Sequence, residues 1–101
     1  MPNYKPAVKT SEIPDGTGKI CRVNDHEVAI FNVGGQFHCV TNVCPHRGGP
    51  LAEGELEGNV VTCPWHGWRF DVTTGASPVN PAATIEKYLV RIQEDEVQVD
   101  I

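Results

Sequence analysis

Two short segments of the chain each place a cysteine and a histidine close together. Cys44 and His46 form a Cys-x-His pair, and Cys63 and His66 form a Cys-x-x-His pair. Thiolate and imidazole are side chains that bind iron, zinc and copper well. The spacing therefore predicts two loops that contribute ligands to one metal site.

The residues around the two pairs suit tightly turned loops. Pro45 and Pro64 fix φ directly after each cysteine. Gly48, Gly49 and Gly67 permit left-handed turns and let backbone N–H groups approach a sulfur atom closely. We therefore expect two loops of similar conformation that face each other across one metal site.

Three interpretations of these pairs are open on the residues alone. The first is unrelated core cysteines with chance histidines, which the repeated pairing inside turn-forming segments disfavours. The second is a structural Cys2His2 zinc site in a zinc-stabilised binding module, although zinc sites usually draw on Cys-x2–4-Cys and His-x3–5-His pairs. The third is a [2Fe–2S] cluster with two cysteines on one iron and two histidines on the other.

Short β-strands are the elements that must position these loops. Alternating or continuous apolar patterns, separated by turn residues, predict strands at residues 19–23, 27–33, 36–41, 59–62, 68–71, 88–93 and 96–101. Turns are expected at residues 24–26, 34–35 and 74–75, and an irregular connection at 77–83. The best helical candidate is one turn at residues 11–13, which Pro14 ends. The pattern predicts an all-β chain of mostly antiparallel strands.

The two loops resemble the cluster-binding boxes of Rieske iron–sulfur proteins, which match residues 44–49 and 63–67 of this sequence. The resemblance implies a Rieske iron–sulfur domain of small antiparallel sheets, with the two loops in a cluster-binding subdomain at about residues 42–75. It also implies one [2Fe–2S] cluster per chain, with sulfur ligands on a buried iron and nitrogen ligands on an outer iron. The implied cluster ligands are Cys44, His46, Cys63 and His66.

The reduction potential of such a cluster depends on the residues around it. Two imidazoles in place of two thiolates leave the cluster less negative, which raises the potential above that of an all-cysteine cluster. High-potential members of the family join the boxes by a disulfide, at positions that correspond here to Gly49 and Trp65. Those members also carry a Ser and a Tyr that donate hydrogen bonds to sulfur, where this chain has Trp68 and Phe70. Because such bonds stabilise the reduced cluster, we expect a potential at the low end, on the order of −150 mV.

The remaining candidate residues suggest no second site. His26 and His38 lie in a predicted turn and strand, without the carboxylate spacing of a mononuclear oxygenase iron, and are predicted to be surface histidines. Cys21 and Cys39 lie in predicted strands, where free cysteine behaves as a small hydrophobe. The chain is therefore predicted to carry electrons and not to be an enzyme.

Two groups near the loops have two interpretations each. Trp65 either belongs to an apolar collar around the histidines or packs the space between the loops that a disulfide would fill. The acidic residues are either solvated surface or, near the first loop, a surface that steers a basic partner; these residues are Glu53, Glu55, Glu57, Glu94, Asp95 and Glu96.

Length and charge bound the remaining classes. A chain of 101 residues suits one domain, residues 1–101, and its 40% hydrophobic content is ordinary for a folded protein. The net charge of −5 and the scattered basic residues disfavour nucleic-acid binding and favour a partner with a basic surface. The sequence has no apolar run long enough to cross a membrane and no secretory signal, so we expect a cytoplasmic protein that does not bind membranes.

Taken together, the resemblance implies a monomeric, low-potential Rieske ferredoxin. Its expected partners are an NAD(P)H-dependent flavoprotein reductase, which would supply single electrons, and a terminal aromatic-ring oxygenase, which would receive them. Within the same family, the small subunit of an assimilatory NADH-dependent nitrite reductase is the alternative.

Overall fold

The computed structural model describes residues 3–43, 49–65, 67–79 and 82–101. Ten strands form three antiparallel sheets in this part of the chain, which contains no α-helix. The terminal sheet has the order β1–β10–β9 and consists of β1 (Tyr4–Lys9), β10 (Glu96–Asp100) and β9 (Val90–Gln93). The central sheet has the order β2–β3–β4–β8 and consists of β2 (Gly18–Val23), β3 (His26–Val33), β4 (Gln36–Thr41) and β8 (Lys87–Tyr88). The loop sheet has the order β5–β6–β7 and consists of β5 (Glu55–Glu57), β6 (Val60–Thr62) and β7 (Arg69–Asp71).

Strand β3 is buried on both faces, which explains why its sequence is almost continuously apolar. Val28 and Ile30 point to one side of the central sheet, and Ala29 and Phe31 point to the other. All four side chains are fully buried. The central sheet is therefore the middle layer of three, with a separate hydrophobic core on each side.

The core between the terminal and central sheets is called here the terminal core. Its members come from β1, β2, β3, β4 and β10, together with Ile13, which follows a 3-10 turn at Thr10–Glu12. Val97 and Val99 of β10 are fully buried in it, and Ile101 packs against its edge. The three residues therefore face the same side of the chain, as the alternation of side chains along an extended backbone requires.

The core between the central and loop sheets is called here the loop core. Phe31 and Val40 enter it from the central sheet, while Val61 and Phe70 enter from the loop sheet. Cys63, directly after β6, belongs to the same core. The loop core therefore connects the predicted metal loops to the rest of the molecule.

Two tight turns set the register of the central sheet. Asn24 and Asp25 have φ angles of 49° and 66°, and Gly34 and Gly35 have φ angles of 60° and 91°. Two consecutive residues with positive φ make the kind of two-residue turn whose twist matches the flanking strands. The predicted hairpins are confirmed, although β3 begins at His26, which had been assigned to the turn.

The structure corrects the sequence prediction at several strands. Residues 88–93 do not form one strand, because Tyr88 pairs with Cys39 in the central sheet whereas Val90 begins β9 in the terminal sheet. Strand β1 was not predicted, and it pairs with β10 through a register shift between Pro6 and Val8. Strand β5 was also missed. The predicted strands at 59–62 and 68–71 are each one residue shorter in the structure.

Other expectations hold in the described residues. The predicted helical turn is a 3-10 turn at Thr10–Glu12, and Pro14 follows it. The described part of residues 77–83 contains no strand, and the Ser77 N–H donates to the Ala83 carbonyl at 3.1 Å. Within the described residues, no helix has the length and apolar character needed to cross a membrane.

Candidate metal centre

One of the four predicted ligands, Cys63, lies in the described part of the structure. Cys44, His46 and His66 lie outside the described residues. The centre is therefore built here from Cys63 and from the described residues that surround the two loops. Among the described residues alone, no group of three His, Cys, Asp or Glu side chains converges on one point.

The second loop connects β6 to β7 and turns tightly around Cys63. The Cys63 N–H donates to the Trp68 carbonyl at 2.6 Å, and the Gly67 N–H donates to the Cys63 carbonyl at 3.2 Å. Gly67 has a φ of 75°, a conformation that glycine adopts without a steric penalty. The prediction that Gly67 makes a left-handed turn is thereby confirmed.

Burial changes sharply along this loop. Cys63 is 1% exposed, whereas Pro64, Trp65 and Gly67 are exposed, Trp65 to 49%. A sulfur atom at position 63 therefore lies inside the protein, and the following residues lead the chain to the surface. This gradient agrees with the expected arrangement of sulfur ligands within and nitrogen ligands nearer the solvent.

Gly49 brings the end of the first loop against the second. A Cβ atom added to Gly49 would lie 2.8 Å from Cys63 Sγ, 3.0 Å from Trp65 Cγ and 3.1 Å from Trp65 Cβ. Gly49 is itself buried. The backbone of Gly49 thus packs directly on the Cys63 sulfur, and no side chain fits between them.

Asn42 holds the base of the first loop and was not identified from the sequence. Val43 and Pro50 form an antiparallel bridge, and the Leu51 N–H donates to the Asn42 carbonyl at 2.8 Å. The Asn42 side chain, which is buried, accepts a hydrogen bond from the Ala52 N–H at 2.8 Å. A lone asparagine carries no spacing signal, so only its burial and contacts reveal this role.

Trp68 and Phe70 place apolar rings beside the second loop. Phe70 is fully buried in the loop core, and Trp68 packs against that core with its ring centroid 6.4 Å from that of Phe70. A groove of about 280 Å³ adjoins the loop and is lined by Gly67, Trp68, Arg69, Ser77 and Val79. Two aromatic rings therefore lie beside the loop, next to a groove that also includes the polar Arg69 and Ser77.

Cys21 and Cys39 are small hydrophobic members of the terminal core, as predicted. Both are buried thiols that form no disulfide. Burial raises the pKa of the Cys39 thiol to about 12, and the nearby Cys21 adds to the rise. Burial likewise raises the pKa of Cys21. Both side chains therefore stay protonated at neutral pH, which is the inert form of cysteine.

The two histidines outside the loops lie on strands of the central sheet. His26 is exposed, with its ring 6.4 Å from that of Tyr88, and His38 is half-buried. Burial lowers the pKa of the His38 imidazole, Lys87 lowers it further, and Asp71 opposes them. The interpretation of His26 as a surface residue is confirmed, while His38 is more enclosed than a surface histidine.

The acidic residues named above are exposed, apart from the partly buried Glu96. Asp95 lies 3.4 Å from the Lys9 ammonium, in an ion pair that is well exposed on both sides. Exposed ion pairs of this kind contribute little to stability. The exposure of these residues fits both interpretations, solvated surface and, near the first loop, a surface that steers a basic partner.

The described residues fit the sulfur side of a Rieske cluster. Cys63 supplies a thiol at the base of a tight loop, and the missing side chain at Gly49 leaves its sulfur covered by backbone. A buried thiolate needs a compensating charge, which a ferric ion supplies.

Comparison with known proteins agrees with this fit. Residues 3–89 match the Rieske [2Fe–2S] domain. The ferredoxin component of the naphthalene 1,2-dioxygenase system of Pseudomonas aeruginosa is 35% identical over 96 residues, which cover 94% of this chain and 92% of that protein.

Solved structures give the same result. The Sphingomonas yanoikuyae B1 ferredoxin superposes with a TM-score of 0.89 at 29% identity, covering 98% of this chain and 99% of the other. A chain from the complex of reduced oxygenase and oxidised ferredoxin in carbazole 1,9a-dioxygenase superposes with a TM-score of 0.86 at 32% identity, covering 96% of this chain and 92% of the other.

The match to the Rieske [2Fe–2S] domain, together with the buried Cys63 at the base of a tight loop, defines the class as a small iron–sulfur protein. The chain belongs to the Rieske [2Fe–2S] domain family. The predictions of the fold class and of a Rieske-type [2Fe–2S] cofactor are thereby confirmed. The similar proteins described above are named as ferredoxins, which agrees with the prediction of an electron carrier and not of an enzyme.

Proposed function

We propose that the protein is a Rieske ferredoxin that carries single electrons in a multicomponent ring-hydroxylating oxygenase system. The similarity to the naphthalene dioxygenase ferredoxin component, which extends over 94% of the chain, carries this proposal. The buried Cys63 sulfur under Gly49 supports it, because that sulfur occupies a position suited to the inner iron.

The proposed ligands are Cys44, His46, Cys63 and His66. When bound, the cluster accepts one electron and releases it again. The contribution of the protein is to hold the ligand-bearing loops in place before either event. The Val43–Pro50 bridge fixes the first loop, and the hydrogen bond from Cys63 to Trp68 fixes the second. Loops held in this way lower the reorganisation that accompanies each change of charge.

The two aromatic rings beside the second loop support a potential at the low end of the Rieske range, on the order of −150 mV. Trp68 and Phe70 pack beside the second loop and carry no hydroxyl group that would stabilise the reduced form. Gly49 and Trp65, whose positions correspond by the family resemblance to the disulfide of high-potential members, lie against each other here. Such a potential suits a ferredoxin better than a quinol-oxidising subunit.

The proposed partners are a terminal aromatic-ring oxygenase, which receives the electron, and an NAD(P)H-dependent flavoprotein reductase, which supplies it. The oxygenase is supported by the similarity to a chain from a ferredoxin–oxygenase complex. We also propose that the protein acts as a cytoplasmic monomer. The whole chain, residues 1–101, then forms one Rieske domain with its cluster-binding part at about residues 42–75.

Metal analysis and spectroscopy test the cofactor. The purified protein is expected to contain about two iron atoms and two acid-labile sulfides per chain, and to show a rhombic EPR signal after reduction. One zinc ion per chain without sulfide would contradict the proposal and favour the zinc-stabilised module.

A reconstituted electron-transfer chain tests the function. NADH and a catalytic amount of a flavoprotein reductase are expected to reduce the protein by one electron per chain. A ring-hydroxylating oxygenase is then expected to reoxidise it, and to do so repeatedly only when its aromatic substrate and O₂ are present. Co-purification with a sirohaem-containing subunit, with no electron transfer to any oxygenase, would favour the nitrite reductase alternative instead.

A further inference from the structure

Gly49, Cys63 and Trp65 meet at one point between the two loops. The Cys63 sulfur and the first two side-chain atoms of Trp65 all lie within about 3 Å of the position that a Gly49 Cβ would occupy. A Cβ at that position would overlap all three atoms, so the space between the Gly49 backbone, the sulfur and the base of the indole is too small for a side chain. Trp65 therefore joins the end of the first loop to the second loop beside a predicted cluster ligand.

Burial divides the Trp65 side chain into two parts. The residue as a whole is 49% exposed, although the Cβ and Cγ atoms of its side chain lie against the buried Gly49. An exposed tryptophan that served only as a collar would not need its Cβ and Cγ packed against a backbone. The geometry favours the interpretation that Trp65 fills the space between the loops, while its outer edge remains in solvent.

We propose that Trp65 is a positioning residue that clamps the two loops together and keeps water from the Cys63 sulfur. The inference rests on the proposed function, since it concerns the cluster that Cys63 would bind. A disulfide would connect the loops by a covalent bond, whereas this contact connects them by packing a large side chain against a residue that has none. Gly49 is the necessary partner, because any side chain there would push on the sulfur and on the indole.

Two effects on the loaded protein follow from the clamp. Removing the indole separates the loops, so the cluster is lost faster. It also admits water to the sulfur, and hydrogen bonds from water stabilise the more negative reduced form. The reduction potential therefore rises, which a general loss of stability would not cause.

The experiment compares the Trp65→Ala and Trp65→Phe variants with the wild-type protein loaded with its cluster. Trp65→Ala is expected to bleach about fivefold faster in the presence of an iron chelator, the change that the loss of one aromatic packing contact gives. Its potential is expected to rise, as measured by a redox titration followed by EPR. Trp65→Phe keeps an aromatic ring on the same Cβ and is expected to restore most of both properties.

Val79→Ala is the matched control. Val79 is a 69% exposed apolar residue that lines the groove beside the second loop. It is not one of the three residues that meet between the loops. This variant is expected to retain the wild-type bleaching rate and potential. If Val79→Ala changes both as much as Trp65→Ala does, the effect belongs to the apolar surface in general and the clamp is refuted.

A double variant tests whether Gly49 and Trp65 act as one contact. Gly49→Ala is expected to accelerate bleaching, and adding Trp65→Ala is expected to increase the rate by much less than the product of the single effects. If the bleaching rate of the double variant rises by the full product of the two single effects, Gly49 and Trp65 act independently and the proposed clamp is refuted. A wild-type protein without iron and sulfide would refute the proposed function itself, whereas a normal cluster with an unaffected Trp65→Ala variant would refute only the clamp.

Discussion

At the scale of single residues, the three cysteines in the described part of the chain differ in what surrounds them. Cys21 and Cys39 lie in the terminal core, away from the loops, with raised pKa values. Cys63 is equally buried but lies under the Gly49 backbone, in a loop. Burial alone therefore does not identify a ligand; the neighbouring turn residues do.

Substitution of these cysteines tests that distinction. Cys63→Ser is expected to reduce bound iron and sulfide to nearly zero, because a hydroxyl replaces the thiolate that binds iron. Cys21→Ala and Cys39→Ala are the matched controls and are expected to retain about two iron atoms per chain. Iron and sulfide analysis of the three purified variants measures the outcome. Loss of iron from Cys21→Ala, with normal iron content in Cys63→Ser, would show that the assignment of Cys63 as a ligand is wrong.

His38 provides a test of electrostatics away from the loops. Its pKa lies below the ordinary value for histidine, first through burial and then through Lys87. Lys87→Gln is therefore expected to raise the His38 pKa, as followed by NMR titration of the imidazole. Lys9→Gln, whose ammonium pairs with Asp95, is the control and is expected to leave it unchanged.

The sign of the linked stability follows from the same shift. Below the ordinary histidine pKa of about 6.5, the unfolded chain binds a proton that the folded chain still excludes at His38. Stability is therefore expected to fall as the pH decreases from about 6.5 toward the lowered pKa of the folded state. His38→Gln should make the urea midpoint less sensitive to pH in that window, and an unaltered pH dependence would count against this account.

At the scale of elements, the sequence predicted the strands whose turns are local and missed those whose partners are distant. The hairpins of the central sheet follow from Asn24, Asp25, Gly34 and Gly35, whose positive φ angles fit their residue types. Strand β1 contains Pro6, which argues against a strand, and it is ordered by pairing with β10 at the other end of the chain. As an edge strand, β1 accommodates a proline because one side of its backbone needs no ladder bond.

The sequence gives no indication that the segment 88–93 is divided between two sheets at Leu89. Residues 88–93 are compatible with one strand, but Tyr88 pairs with β4 and the chain then crosses to β10. Similarly, the motif identified Cys63 as a ligand candidate, whereas the support from Asn42 and the packing of Gly49 depend on tertiary contacts. The spacing of cysteines and histidines indicates which residues are candidate metal ligands. It does not indicate which other residues keep the loops of those ligands in place.

Asn42 gives a prediction for the base of the first loop. Asn42→Ala removes the acceptor of the buried Ala52 N–H and is expected to lower the free energy of unfolding by about 1–3 kcal/mol. Urea denaturation measures the change. Asn59→Ala, at an exposed turn position, is the matched control and is expected to remain within about 0.5 kcal/mol of the wild type. Equal losses in both variants would show that the buried hydrogen bond has no special role.

At the scale of the whole molecule, three β layers enclose two cores that serve different purposes. Among the residues that the structure describes, the terminal core contains no residue of either loop, whereas the loop core includes Cys63 and residues of the strands that lead to it. Stability is therefore shared by both cores, but the geometry of the metal loops depends on one of them.

Two equivalent valines test this division. Val97 and Val61 are both fully buried, one in each core. Val97→Ala and Val61→Ala are each expected to cost about 2 kcal/mol of stability, from lost burial and a small cavity. Only Val61→Ala is expected to accelerate cluster loss, as measured by bleaching at a urea concentration where both variants are folded. Equal bleaching rates would show that the loops depend on global stability alone.

The double-sided burial of β3 has a consequence for how the sequence can vary. Because adjacent residues of this strand enter opposite cores, inserting or deleting one residue within it would send Val28 and Ile30 into the space of Ala29 and Phe31. Large side chains would then enter space that held small ones, and small side chains would leave cavities where large ones had packed. Strand β3 can thus exchange one apolar residue for another, but its length cannot drift, and variation in chain length among descendants of this sequence should be confined to the turns on either side.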